Sequence, residues 1–285
     1  MPGGVKQNGA SVLIASEPKG SKPFGATAVP ICALAQTMPH DAHLTYPPLN
    51  SLKPVADEVW IVDGPLIRFG AIRMPFSTRA TIIRVADSDL FVHSPTPLVP
   101  ELKAEIASLG SPRWIIAPNR LHHWWLPDWH AAYPNAEIHV APRTREQAGR
   151  RLDFACAVLD RRAGYPWDNH IATLPIEGSY MTEVEFFHHA SRTLVLTDLI
   201  ENFEPRKLET PAMRFLTWIG GVQDPNGSTP RDMRLTFSKR KAEFRAAVEE
   251  MIGWNPERVI LAHRRWYDTN GRAELQRAFR WILAR

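Results

Sequence analysis

Three stretches far apart in the chain constrain its fold most, because each is a short apolar run that closes on histidine or aspartate. They are Trp114-Ile-Ile-Ala-Pro-Asn-Arg-Leu-His-His123, Val184-Glu-Phe-Phe-His-His-Ala-Ser-Arg-Thr-Leu-Val-Leu-Thr-Asp198 and Val259-Ile-Leu-Ala-His263. Runs of β-branched and aromatic residues read as buried strands, and layered α/β folds assemble their sites just past strand ends. Three such ends delivering imidazole and carboxylate point to a metal or acid/base site that only folding can bring together.

The surrounding pattern sets the architecture. Strand-like runs at 58–62, 66–72, 80–85 and 90–93, separated by Asp-Gly and Asp-Ser-Asp turn signals, predict an antiparallel meander. A helix is expected over 100–110, where Pro100 starts it, Leu102, Ile106 and Leu109 share a face, and Gly110 closes it. A strand at 114–117 follows, then a helix carrying Trp125, Trp129 and Tyr133 at four-residue spacing, a strand at 137–140 and a short polar helix after Pro142. Strands at 171–176, 183–187 and 193–197 come next, and helices near 211–219, 240–252 and 272–283 bracket a last strand at 258–261. This order suits helices covering the outer faces of two packed sheets. Residues 1–50 are rich in Gly, Pro, Ser and Ala without periodicity and are expected to be a disordered leader, with Met38 an alternative start and the folded domain at 51–285. The mildly apolar stretch 26–35 lies too far from Met1 for a secretory signal.

Composition excludes several classes. No window approaches the roughly 18 consecutive apolar residues of a spanning helix, and Cys32 and Cys156 stand in no CxxC spacing, against a disulfide scaffold or a zinc-thiolate site. The net charge of +4 is not arranged with alternating aromatic residues, so a solvated basic face explains it better than nucleic-acid binding. Gly70 and Gly220-Gly221 lack the strand-to-helix GxGxxG context, and no GxSxG, Walker A or HExxH motif occurs. The expectation is a cytoplasmic protein with a small-molecule substrate and no membrane or nucleic-acid partner.

Each candidate residue has a plainer alternative. His122 and His123 follow a turn made by Pro118-Asn119 and can both face one cleft, or one packs under Trp124 and Trp125 while the other is solvated. Asp198 ends an apolar strand, where a carboxylate is costly to bury without a cation or hydrogen bonds; it serves as a ligand or caps the segment after it. A tight hairpin through Ser191-Arg192 would bring His188 or His189 to the sheet edge that holds Asp198. Arg192 either meets an anionic substrate group or pairs with Glu183 or Glu185. Trp125 and Trp129 fit a core stripe; Trp124 fits it less well and could wall a pocket for an apolar ligand.

The segments resemble the metallo-β-lactamase fold superfamily, and more closely a branch of it known only as a domain of unknown function. The likeness rests on Trp60 to Pro65, His93-Ser-Pro95, Ala117-Pro-Asn-Arg-Leu-His-His123, Tyr133-Pro-Asn-Ala136 and Phe186 to Leu199, and it spans Leu52 to the C-terminus. It implies a four-layer αββα sandwich with a pocket at one edge. In the wider superfamily an HxHxDH motif, a later His, an Asp at a strand end and a final His bind two metal ions. Here the first two histidines are absent in either register, which aligns Asn119 and Leu121, or Pro118 and Arg120, with them. In the latter register His122 and His123 take the motif's end, and with Asp198 and His263 they would hold one zinc or iron ion; the other register removes His122 from that role. The resemblance implies hydrolysis of an ester, amide, thioester or phosphate, with Asp198 and His188 as catalytic groups and Trp124, Arg192 and Arg264 at the substrate. A metal-free small-molecule-binding protein and a mononuclear non-haem iron redox protein are the alternatives.

Overall fold

Side chains along a strand alternate between faces, so a strand apolar on both faces has to lie between two layers. Val59, Ile61, Ile83 and Ile116 share one core, while their neighbours Val62, Ile82 and Ile115 belong to another. The computed structural model describes residues 39–69 and 73–284. β1 (Leu52–Ala56), β2 (Val59–Phe69), β3 (Met74–Ala86), β4 (Asp89–His93), β5 (Ser111–Ala117), β6 (Glu137–Val140) and β7 (Ala157–Val158) lie side by side in chain order in a seven-stranded sheet. It is antiparallel from β1 to β4 and parallel from β4 to β7. A four-stranded sheet has the order β11 (Arg258–Leu261), β10 (Thr193–Leu196), β9 (Thr182–His188), β8 (Ile171–Glu177).

Val59, Ile83 and Ile116 of the large sheet meet Val184, Phe186, Val195 and Ile260 of the small one in the central core. Outside the large sheet, Leu102 and Ile106 of α1 (Pro100–Leu109) and Leu126 and Trp129 of α2 (Leu126–Ala132) cover Val62, Ile82 and Ile115. Outside the small sheet, Phe244, Val248 and Met251 of α6 (Lys241–Gly253) and Leu275 of α7 (Gly271–Ala278) cover Leu194, Leu196, Val259 and Leu261. The result is the αββα sandwich. Truncating the fully buried Phe186 to Ala would cost this core about 3–5 kcal/mol.

Three differences from expectation have physical causes. β1 contains Pro54 and was not expected, but it is an edge strand, where a residue without an N–H is tolerated. α5 (Arg231–Thr236) is too short to show a helical period. Of the expected leader 1–50, residues 1–38 lie outside the described residues, as do the last three of the strand predicted at 66–72. Residues 39–50 belong to the fold: a 3₁₀ turn at Pro39–Leu44 leads to buried Leu44 and Thr45, and the carbonyls of His43 and Thr45 accept hydrogen bonds from Lys207. Few apolar residues recur here, so periodicity could not reveal packing made through backbone carbonyls. Among the described residues no helix is long and apolar enough to cross a membrane.

Register fixes where the site forms. β10 and β11 are parallel with Leu196 opposite Leu261, so Asp198 and His263 leave the same end of adjacent strands. β9 is antiparallel to β10, so it begins at that end with Thr182-Glu183 and finishes at the other with His188, opposite Thr193. Across the layers, the Val184 N–H donates to the Pro118 carbonyl at 2.8 Å and brings the turn after β5 to the same end.

Candidate metal centre

His122, Asp198 and His263 converge at this end of the sandwich. His122 Nε2 lies 3.3 Å from Asp198 Oδ2 and His263 Nε2 lies 3.3 Å from Asp198 Oδ1, and the two imidazole rings are 5.1 Å apart. Among the described residues this is the group whose donor atoms could share one metal ion, with one atom from each residue all within 4.8 Å.

Hydrogen bonds behind the three side chains orient them. His263 Nδ1 lies 2.7 Å from the Ser77 carbonyl oxygen. A carbonyl only accepts, so Nδ1 carries a proton, and in the neutral ring Nε2 aims a bare lone pair at the Asp198 carboxylate. Two acceptors facing each other at 3.3 Å in a buried site repel, unless a cation or a second proton lies there. The Arg264 N–H donates to Ser77 Oγ, and buried Arg79, held by Asp63, donates to the carbonyls of Leu261 and Arg264, so β3 clamps the end of β11 from both sides of His263. His122 Nδ1 pairs with Ser94 Oγ at 2.7 Å. Ser94 and Arg264, each directly after a histidine at or just past a strand end, have left-handed backbones with φ of 51° and 62°. That conformation costs an L-residue about 1–2 kcal/mol and turns the chain sharply out of the sheet.

The loop that presents Asp198 hangs on Glu183. This fully buried carboxylate accepts from the backbone N–H groups of Thr197, Asp198 and Leu199 at 2.9, 2.9 and 3.1 Å. Asn119 Nδ2 completes the frame, donating to Asp198 Oδ2 at 2.7 Å and contacting Glu183 Oε2 and Thr197 Oγ1. Burial, then Asp198, raise the Glu183 pKa, and its hydrogen bonds from Thr197 and Leu199 oppose that rise. For Asp198, burial favours the neutral acid, but His122 and His263 outweigh it when each carries a proton on the nitrogen that faces the carboxyl, and then hold it well below the usual carboxylate range.

The donor set passes a test of fit. Two imidazoles and one carboxylate match a catalytic zinc with an open fourth position or a two-His, one-carboxylate iron site. Metal-bound histidines commonly donate their other ring N–H to a carbonyl, as His263 does to Ser77. Corners of a tetrahedron around zinc at its usual bond lengths are about 3.4 Å apart, close to the 3.3 Å on either side of Asp198.

A cavity of about 590 Å³ opens over the three residues, lined also by Trp124, Trp125, Phe76, Phe203, Glu201 and Asp232. Trp124 is thus at the pocket. The other sequence candidates are elsewhere. His123 turns away, its Nδ1 3.0 Å from the Arg120 carbonyl, and burial above all pushes it down to about 4.

His188 ends β9 at the far side of the sheet, bonded to Ser191 Oγ at 2.8 Å, and burial, then His170 and His189, push it down to about 4. Arg192 is exposed in the hairpin there and donates to the Asn255 carbonyl, far from both Glu183 and the site. Arg264 is fully buried behind the site, stacked on Phe203 at 5.0 Å and bonded to the carbonyls of Leu44, Lys207 and Pro75. It does not line the cavity. Ser77, Ser94, Glu201 and the anchoring role of Glu183 escaped the sequence. Only Glu183 left a trace, as an acid inside an apolar strand.

The architecture, with this group at the strand ends, defines a metallo-β-lactamase fold. It superposes on a metallo-β-lactamase from Hirschia baltica at 15% identity, over 81% of this chain and 96% of that one, with a TM-score of 0.52. It also matches the mono-zinc form of FIM-1 metallo-β-lactamase from Pseudomonas aeruginosa (9% identity, 82% and 94% covered, TM-score 0.53). A third match is the metal-soaked flavodiiron core Flv1 from Synechocystis sp. PCC6803 (11% identity, 82% and 60% covered, TM-score 0.54). Residues 56–213 match the domain of unknown function DUF4336, and the chain belongs to that family. No curated protein matches it in sequence.

Proposed function

We propose that the protein is a metal-dependent hydrolase of a small molecule, with a single zinc or iron ion held by His122, Asp198 and His263. The observation that carries this is the His263 lone pair, fixed by the Ser77 carbonyl and aimed at a carboxylate that a second imidazole also faces. A bound ion would supply Lewis acidity toward an acyl or phosphoryl oxygen and bring water within reach of ionisation near pH 7.

The chain's own groups divide the remaining work. Ser94 and Ser77 orient the two imidazoles, and Glu183 and Asn119 hold the Asp198 loop. Trp124 and Trp125 wall the cavity and keep water from the substrate. The proton-donor role expected of His188 falls to Glu201, which lines the cavity and whose pKa is raised well above the usual range by burial and then by Asp198.

Metal analysis of protein purified without added metal tests this. About one ion per chain is expected in the wild type and in His123→Ala, and a loss of most of it in His263→Ala. A metal-free wild type that gains no thermal stability from zinc or iron would instead support a metal-free binding protein, in which the two imidazoles meet Asp198 as protonated partners.

A further inference from the structure

We propose that the cavity above the candidate metal centre receives an unbranched apolar chain, so that the substrate is a long-chain acyl ester, thioester or amide and not a phosphate. The chemical step rests on the hydrolase reading; the binding of the chain does not.

The first support is how the lining changes along the cavity. The Phe76 ring lies 5.2 Å from the His263 ring and 5.3 Å from that of Phe203, so the wall turns apolar directly beside the imidazole. Behind it, Met74, Phe203 and Val222 form an apolar cluster with Phe76 packed against it, and Leu216 and Met233 line the same space. A volume of about 590 Å³ is far larger than a metal and a water need, and falls in the range of about 300–1,000 Å³ that encloses whole ligands.

The second support is charge. Asp198, Glu201 and Asp232 line the cavity, and among the described lining residues the one cation, Arg79, already bonds Asp63 and two backbone carbonyls. A phosphate dianion would enter beside the carboxyl groups of Asp198 and Asp232 with no free arginine or lysine to add to the charge of a bound ion. A neutral acyl group carries no such penalty.

The third support is α4 (Pro211–Gly220), which forms one wall. Its Leu216, Thr217 and Gly220 line the cavity, while Phe215 and Trp218, with stacked rings 6.1 Å apart, are 58% and 66% exposed on the outside. The helix has two apolar surfaces, so binding to the cavity has to be separated from adsorption to the outer one.

The experiment titrates 1-hexanol, 1-octanol and 1-decanol into the full-length protein by calorimetry. Each buried methylene should tighten binding about fourfold. Binding should be unchanged in His123→Ala, whose side chain lies outside the cavity, and in the outer-surface double variant Phe215→Ser/Trp218→Ser, and at least tenfold weaker in Val222→Glu. Met233→Glu, at a half-buried position that tolerates charge better, should weaken it in the same direction if Val222→Glu fails to fold. Affinity independent of chain length, or binding lost in the outer-surface variant and kept in Met233→Glu, would overturn the proposal. Chain binding by a protein that holds no metal would contradict the hydrolase reading and leave this one standing.

Discussion

The two ends of the small sheet carry similar residues and differ in what surrounds them. At one end His263 and Asp198 face a cavity and each other, with Glu183 buried behind the Asp198 loop; at the other His188, His189 and Arg192 sit around a hairpin, and none of them lines that cavity. Glu183 lies one residue into the short strand that His188 ends, and five residues at about 3.3 Å each separate them by roughly 17 Å. A histidine at a strand end is therefore informative only together with the strand's direction. β10 and β11 run parallel and deliver Asp198 and His263 together, whereas β9 runs against β10 and carries His188 away.

Substitutions that remove a donor should separate the two ends most. His263→Ala is expected to lower zinc affinity more than a hundredfold, measured by competition with a chromogenic chelator, because two donors remain of three. Next is Glu183→Gln, which replaces an acceptor oxygen with an amide facing N–H donors. A loss of about 1–3 kcal/mol in urea unfolding is expected, together with a roughly 10–100-fold loss in metal affinity as the Asp198 loop loosens. An unchanged metal affinity would reduce Glu183 to a purely structural residue.

Arg264→Leu should cost about 3 kcal/mol of stability by leaving buried carbonyls without a donor. Its residual activity per folded molecule should stay close to that of wild type, since the side chain does not reach the cavity. A selective rise in KM would place Arg264 at the substrate after all.

The smallest effect belongs to the far end. His188 in the folded protein resists protonation until about pH 4, whereas the unfolded chain takes that proton near 6.5. The unfolded state therefore binds more protons between these values, and stability should fall as pH drops from about 6.5 toward 4. His188→Gln should reduce the slope of that part of the pH profile, to which His123 also contributes, and leave metal content unchanged. Loss of metal in this variant would erase the distinction between the two ends.

The sandwich was legible because its strands are apolar on both faces and its helices keep a regular period, as at Leu102 and Ile106. His122, Asp198 and His263 were legible as residues past strand ends, although the sequence left the register around His122 open, and Trp124 stood out by not fitting the aromatic stripe of the helix. His123, His188, Arg192 and Arg264 were misplaced for one reason: sequence order gives distance along the chain and says little of which way a side chain turns or a strand runs. Ser77, Ser94 and Asn119 act through local hydrogen bonds that leave no periodic trace. The edge strand β1 and the packing of residues 39–50 were hidden for a similar reason, since Pro54 and carbonyl contacts carry no apolar pattern.

The central claim concerns one location, and anomalous diffraction from crystals grown with zinc, collected on both sides of the zinc absorption edge, addresses it most directly. One peak within bonding distance of His122 Nε2, His263 Nε2 and an Asp198 carboxylate oxygen is predicted. A site without a peak there, or with zinc bound instead by His188 and His189, would contradict the account.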